Sequence, residues 1–202
     1  YDSYQNNNHD AYLRTPSIKH SSNWNYKMNE VPANWYSDTS SAWQTASKGN
    51  FPAATNRVQL YRQTFTISNL NDVMGVILSL RYRYGCVVYL NGHEVYRKGV
   101  VGEVSTTATV TNTYQDLMYR VVTLPGKSIP VEGSTAVQYL QQGSNTIAIA
   151  IIASSDSQTQ SYFDAVVTLM PSVSYSHIWE FTGSTTEMTG AASNAFDMYH
   201  GT

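Results

Sequence analysis

The sequence predicts an all-β fold, a sandwich or barrel of short strands, on three observations. Asn91-Gly92 stands between two runs rich in β-branched and aromatic residues, Cys86-Val87-Val88-Tyr89-Leu90 and Val95-Tyr96. That is the strongest short-range signal for a two-residue hairpin, because both central positions of a type I′ turn need positive φ. Residues 58–67 and 77–84 alternate apolar and polar side chains with a period of two, as strands with one buried face do. Turn residues separate these runs, and no alternation with long helical patterns points to a parallel sheet.

The elements follow in order. Residues 1–50 are polar and aperiodic, with the run Asn6-Asn7-Asn8 and with Trp24, Trp35 and Trp43. They read as an extended arm and strapping segment (residues 1–42) that the aromatics pin to a body, since so long a loop needs anchoring or a function. The body spans residues 43–170. Its expected strands cover residues 58–67, 73–84, the two arms of the hairpin, 119–124 (stopped by Pro125-Gly126), 145–153 and 163–170. The one helical candidate is a short turn over residues 135–140. From Pro171 a tail (residues 171–202) carries one further expected strand, Tyr175-Ser176-His177-Ile178-Trp179-Glu180-Phe181.

Composition bounds the function. At 202 residues the chain holds one sizeable β domain with arms, and 42% hydrophobic residues supply a core. Charged residues are only 13%, while Tyr alone contributes 16 residues, so the surface interacts through hydroxyls, amides and rings more than through charge. A net charge of −2 with no basic run argues against a nucleic-acid partner. No apolar stretch reaches the roughly 20 residues of a membrane span. The lone Cys86 lies in an apolar strand and reads as a small buried hydrophobe. The start at Tyr1, without Met, reads as a processed start or the start of a fragment, and no Asn-x-Ser/Thr sequon is present. Low charge with abundant Ser, Thr and Tyr suits an extracellular or cell-surface protein.

Four pieces, in order over about 130 residues, carry a resemblance. They are Tyr61-Arg62-Gln63-Thr64-Phe65, the hairpin from Val87 to Arg97, Leu140-Gln141-Gln142-Gly143-Ser144-Asn145-Thr146-Ile147-Ala148-Ile149, and Tyr162-Phe163-Asp164-Ala165. Together residues 43–170 resemble the galactose-binding-domain-like jelly-roll modules of secreted and surface proteins. In the tail, Ala191-Ala192-Ser193-Asn194-Ala195-Phe196-Asp197 is similar to the opening of a discoidin-type module, with Met198 where that pattern has Gly. The resemblance implies a jelly-roll β-sandwich whose relatives serve as carbohydrate-binding modules, adhesion modules and non-catalytic appendages of enzymes. A fold of this kind hosts many functions, so the activity must come from a site.

Sugar binding needs aromatic faces together with amides or carboxylates. Trp24, Trp35, Trp43, Tyr82 and Tyr84 are the aromatic candidates, the arm tryptophans foremost because they lie outside the regular strands. Packing is the competing role for each, since aromatic side chains dominate β cores. Asn91 and Gly92 have the place of a ligand loop in the resembled modules, but turn geometry accounts for them first. Asn145 reads as the cap of a turn. Asp164 is a weak candidate ligand for a structural calcium, which wants six to eight oxygens and several carboxylates; the other acids are scattered. No other cofactor is expected.

Catalytic patterns fail. His93-Glu94 opens like a zinc-protease motif, but Arg97 stands where the second His belongs and the segment is a strand. No nucleophile elbow and no phosphate loop is present. The expectation is therefore a non-catalytic structural or adhesive module. It would assemble with copies of itself or with neighbouring modules into a filament or surface layer. Strand-capable segments at residues 23–28 and 174–181, with Tyr175, His177, Ile178, Trp179 and Phe181 as the assembly strand, would add to a neighbour's sheet edge or fold back on their own sandwich. The alternative is a carbohydrate-binding module of a multidomain protein, with glycans as partners.

Overall fold

Eleven strands run through the residues that the computed structural model describes, namely 15–38, 42–111, 117–155 and 160–172. They are β1 (Trp24–Met28), β2 (Gln44–Ala46), β3 (Val58–Ile67), β4 (Val73–Arg81), β5 (Gly85–Leu90), β6 (His93–Lys98), β7 (Val100–Val101), β8 (Thr109–Val110), β9 (Tyr119–Pro125), β10 (Gly143–Ile152) and β11 (Asp164–Pro171). All described residues belong to one unit, which reaches Ser172.

The strands form a six-stranded sheet in the order β2-β1-β3-β10-β5-β6, a three-stranded sheet in the order β11-β4-β9, and a small β7-β8 ribbon. The pairings are antiparallel throughout. From β3 to β4 to β5, and again from β9 to β10 to β11, the chain crosses to the opposite sheet, which is the winding of a jelly roll. The expected all-β sandwich is thus observed.

Period-two patterning places the core. In β10, Ile147, Ile149 and Ile151 point between the sheets, where they meet Val76, Leu78 and Leu80 of β4 and Val167 and Leu169 of β11. The intervening Ala148, Ala150 and Ile152 point outward, yet they are buried too, together with Val87 and Tyr89 of β5. Trp35, Val104, Ala108 and Val100 cover that outer face. The neighbouring strands β5 and β10 are therefore covered on both sides, and this is why they read as nearly continuous apolar runs. Each fully buried Leu, Ile or Phe contributes about 1.5–3 kcal/mol.

The hairpin forms where expected. Asn91 (φ 47°) and Gly92 (φ 86°) join β5 to β6, and the register shift after Val88 leaves Val95 as the extra residue of a bulge. Cys86 is completely buried, and burial pushes its thiol pKa far up, so it packs as a hydrophobe. No helix among the described residues is long and apolar enough to cross a membrane.

Two expectations need correction. Residues 135–140 form no helical turn: the amides of Tyr139 and Leu140 both donate to the Gly126 carbonyl, and Gln138 bridges to Lys127. The short 3-10 turn falls instead at Leu70–Asp72, where the Asn69 side chain caps the Asn71 amide. The strand expected to reach Tyr84 ends at Arg81, and Tyr84 takes φ 65°. Residues 23–28, expected to be strand-capable, take the second of their two expected courses. They fold back as β1 between β2 and β3, with Tyr26 opposite Tyr61, and Ile18 bridges to Val167 of β11.

Candidate functional site

The asparagines of the two motifs meet. Asn91 Nδ2 donates to Asn145 Oδ1 and to the Tyr139 carbonyl, both at 2.8 Å, while Asn91 Oδ1 accepts from the Thr146 amide at 2.8 Å. Asn145 is wholly buried, accepts from the Gln141 amide and donates to the Gln141 and Gly143 carbonyls. These amides are spent on holding the hairpin tip to β10, so turn geometry is the role the structure gives them. The aromatic pieces of the same motifs also pack together: Tyr61 stacks on Phe163 with centroids 3.7 Å apart and planes 5° from parallel.

Asp164, 1% exposed, is surrounded by donors. It accepts from Tyr119 Oη at 2.6 Å, the Ser21 amide at 3.1 Å and its neighbour Ala165's amide at 3.0 Å, with His20 Nδ1 at 3.4 Å and Lys48 Nζ at 3.9 Å. An ammonium and an imidazole beside the carboxylate make this a clasp for residues 20–21 and not a calcium ligand set. Among the described residues no three His, Cys, Asp or Glu side chains are placed to share a metal ion. Burial and the bond to Asp164 both hold the Tyr119 phenol above its ordinary pKa.

The sequence-derived aromatic candidates fall mostly into the interior. Trp24 (1% exposed) meets Phe163 edge-on at 5.0 Å, and Trp35 (2%) meets Tyr89 edge-on at 5.4 Å. Tyr82 is 1% and Tyr84 7% exposed, beside a crevice of about 10 Å³ that also touches Gln59, Arg83 and Tyr162. None of these four presents a face to a ligand. The arm tryptophans do not stand outside the packed body, because two of them anchor its two hydrophobic layers. Trp43 is half-buried, with the Arg62 guanidinium 4.6 Å and Lys27 Nζ 5.8 Å from its ring centroid. Burial lowers the Arg62 pKa. Tyr175, His177, Ile178, Trp179 and Phe181 lie outside the described residues.

The open cleft closest to Trp43 was not anticipated. About 330 Å³ in volume, it is lined by Tyr26, Lys27, Met28, Asn29 and Glu30 of β1 and the turn after it, and by Ala42, Gln44, Pro52 and Ala53. That is the size range of small-molecule sites. The alternation of β1 sends Trp24, Tyr26 and Met28 toward the core side and Lys27 toward Trp43. Opposite, β2 brings Gln44 into register with Tyr26, and Tyr26 Oη donates to Gln44 Oε1 at 2.7 Å. Phe51 braces the Tyr26 ring edge-on at 5.6 Å. Lys27 Nζ pairs with Glu30 Oε1 at 3.0 Å. Asn29, at φ 74°, uses its side-chain oxygen to hold the Thr55 and Asn56 amides and so shapes the wall.

A second cleft of about 550 Å³ lies at the far end of the small sheet, between Leu70, Met74, Pro125, Lys127, Ile129 and Gln138. Its ionisable lining group is Lys127.

No family model matches the chain, and no curated protein sequence matches it. Solved structures do show likeness. A beta-glucuronidase from an uncultured Clostridium sp. is 14% identical with a TM-score of 0.41, over 68% of this chain and 22% of that one. A beta-glycosidase from Bacteroides vulgatus is 16% identical with a TM-score of 0.43, over 74% and 20%. A beta-glucuronidase from Bacteroides uniformis is 16% identical with a TM-score of 0.47, over 78% and 18%. The matched part of each of these chains is about a fifth of its length.

Proposed function

We propose that this chain is a non-catalytic, extracellular carbohydrate-binding module that belongs to a larger assembly of modules. One observation carries the reading: a cleft of about 330 Å³ opens beside β1 and β2, with Tyr26 and Gln44, joined by a hydrogen bond, and Lys27 and Glu30, joined as an ion pair, among the residues that line it. Hydroxyl-rich rings are recognised by this kind of set, a few placed polar groups on a partly apolar wall. The non-catalytic part of the reading is supported by how the chemistry-bearing groups are used. Asp164 accepts hydrogen bonds from Tyr119, Ser21 and Ala165 with His20 and Lys48 beside it, Cys86 is sealed in the core, and Glu30 is paired with Lys27.

A glycan-array screen of the purified chain beside Gln44→Ala tests this. Binding to a defined glycan that falls at least about tenfold in the variant supports it. Failure to retain any glycan, or equal binding by both proteins, contradicts it.

Strand addition between copies is a second reading, favoured by one feature. β9 ends the small sheet with β4 as its one ladder partner among the described residues, and Val121 on it is 70% exposed. A truncation lacking residues 174–202, imaged by electron microscopy beside the full chain, decides it: filaments must appear with the full chain and vanish with the truncation.

A further inference from the structure

We propose that Lys48 and Asp164 condense with each other, so that an isopeptide bond joins the turn after β2 to the last strand, β11. Each partner is held in place by its backbone. The Asn50 amide donates to the Ser47 carbonyl at 3.0 Å and Gly49 takes φ 85°, a tight turn that carries Lys48. Asp164 opens β11 opposite Arg81 and is 1% exposed. Lys48 Nζ lies 3.9 Å from Asp164 Oδ2. Attack on the carboxyl carbon needs the amine at about 3–3.5 Å, which a rotamer change in the long lysine stem can supply.

Three contacts set this pair apart from an ordinary surface ion pair. Tyr119 Oη stands between the two charges, accepting from Lys48 Nζ at 3.0 Å and donating to Asp164 Oδ2 at 2.6 Å. A proton passed along that line leaves a neutral amine beside a neutral carboxylic acid, the two reactive forms. Asp164 Oδ1 accepts from the Ser21 and Ala165 amides at 3.1 and 3.0 Å, donors placed to stabilise negative charge that develops there. His20 Nδ1, 3.4 Å from Oδ2, is a further group within reach of the departing oxygen.

The bond-making step balances within the cluster. Lys48 Nζ attacks Asp164 Cγ, charge gathers on Oδ1, and a second proton passes from the nitrogen through Tyr119 to Oδ2. The Cγ–Oδ2 bond breaks, water departs, and an amide with one N–H remains. Both hydrogens of the water come from the ammonium, and no oxidant or co-reactant takes part. The reaction consumes its own side chains, so it runs once per chain and turns over no substrate. Its product closes a long loop covalently, which restrains the unfolded chain.

Intact-mass spectrometry of the denatured full chain, after incubation at neutral pH, reads the outcome directly. The wild type is run beside Lys48→Arg, which keeps the positive charge without a nucleophilic amine, and Tyr119→Phe, which removes the relay. Circular dichroism checks that both variants fold. The expected wild type is lighter than its sequence by one water, and its digest contains a branched peptide joining Lys48 to Asp164. Lys48→Arg should keep its full mass, and Tyr119→Phe should lose water at least about tenfold more slowly. A wild type at its full sequence mass overturns the inference whatever the variants do, and so does a water loss that persists in Lys48→Arg. Equal rates in Tyr119→Phe and the wild type overturn the role assigned to Tyr119.

Discussion

The side-chain amide of Asn91 donates to the side-chain carbonyl of Asn145 across 2.8 Å, joining the tip of the β5–β6 hairpin to the start of β10. Around that bond the Gln141 and Thr146 amides and the Tyr139 carbonyl find their partners as well. Two motifs 54 residues apart are thus a single structural device. The positive φ of Asn91 is what turns its side chain back toward β10.

Removing either asparagine orphans buried groups on the other. Asn145→Ala leaves the Gln141 amide and one Asn91 donor direction without a partner, at about 1–3 kcal/mol for each unsatisfied group. The expected outcome is a loss of roughly 3 kcal/mol of stability in chemical denaturation. A double-mutant cycle with Asn91→Ala should show a coupling of about 1–2 kcal/mol. Additive losses would show that the two side chains act independently.

Asp164→Ala should free the segment that precedes β1. The Tyr119 hydroxyl and the Ser21 amide lose their acceptor, and Lys48 loses its counter-charge. Hydrogen exchange over residues 17–22 should speed up at least about tenfold, while β10 keeps its protection. Adding calcium should not shift the melting temperature of the wild type, because the carboxylate is already engaged by donors.

Trp24→Ala and Trp35→Ala are predicted to act through packing and not through a ligand. Each leaves a large void in its hydrophobic layer, at about 3–5 kcal/mol. Trp24→Phe should restore much of the stability. Glycan affinity of Trp24→Phe should match wild type in a direct titration, since the ring faces Phe163 and not the cleft.

Alkaline pH should destabilise the fold. Burial pushes the Tyr89 pKa from 10.0 up to about 12, with Glu94 adding to the shift, and burial drives Tyr61 and Tyr82 upward too. A phenol whose pKa is raised on folding holds its proton in the native state after the unfolded chain has lost it. Stability is therefore unaffected below pH 10 and falls as pH rises from 10 toward 12, by up to about 1.4 kcal/mol per pH unit for each such tyrosine. Melting curves collected across that window check the sign, and Tyr89→Phe should flatten the slope.

Much of the sandwich was legible because its strands are long and periodic. Residues 58–67 alternate cleanly and form β3 over the same span. The hairpin was legible because Asn-Gly at positive φ has one common use. In the arm, residues 23–28 were legible as strand-capable, but their partner and the strand β2 were not. β1 and β2 have five and three residues, too few for a period to emerge, and β1 is a strand because β3 offers it an edge. The burial of Trp24 and Trp35 follows from that pairing and from the outer covering of β5 and β10, neither of which is local. The covering did leave a trace in the unbroken apolar runs of residues 86–90 and 147–153, which signal strands buried on both faces. The cleft depends on a register between Tyr26 and Gln44, residues 18 apart with a loop between them, so only the folded chain assembles it.

Glycan binding at the β1–β2 cleft is tested by an NMR titration of the isotope-labelled chain with neutral oligosaccharides, read amide by amide. Saturable shifts confined to residues 26–30, 42–46 and 50–53 are expected. Shifts that cluster elsewhere, for example around Lys127 and Ile129, or no saturable shift at millimolar sugar, would contradict binding at this cleft.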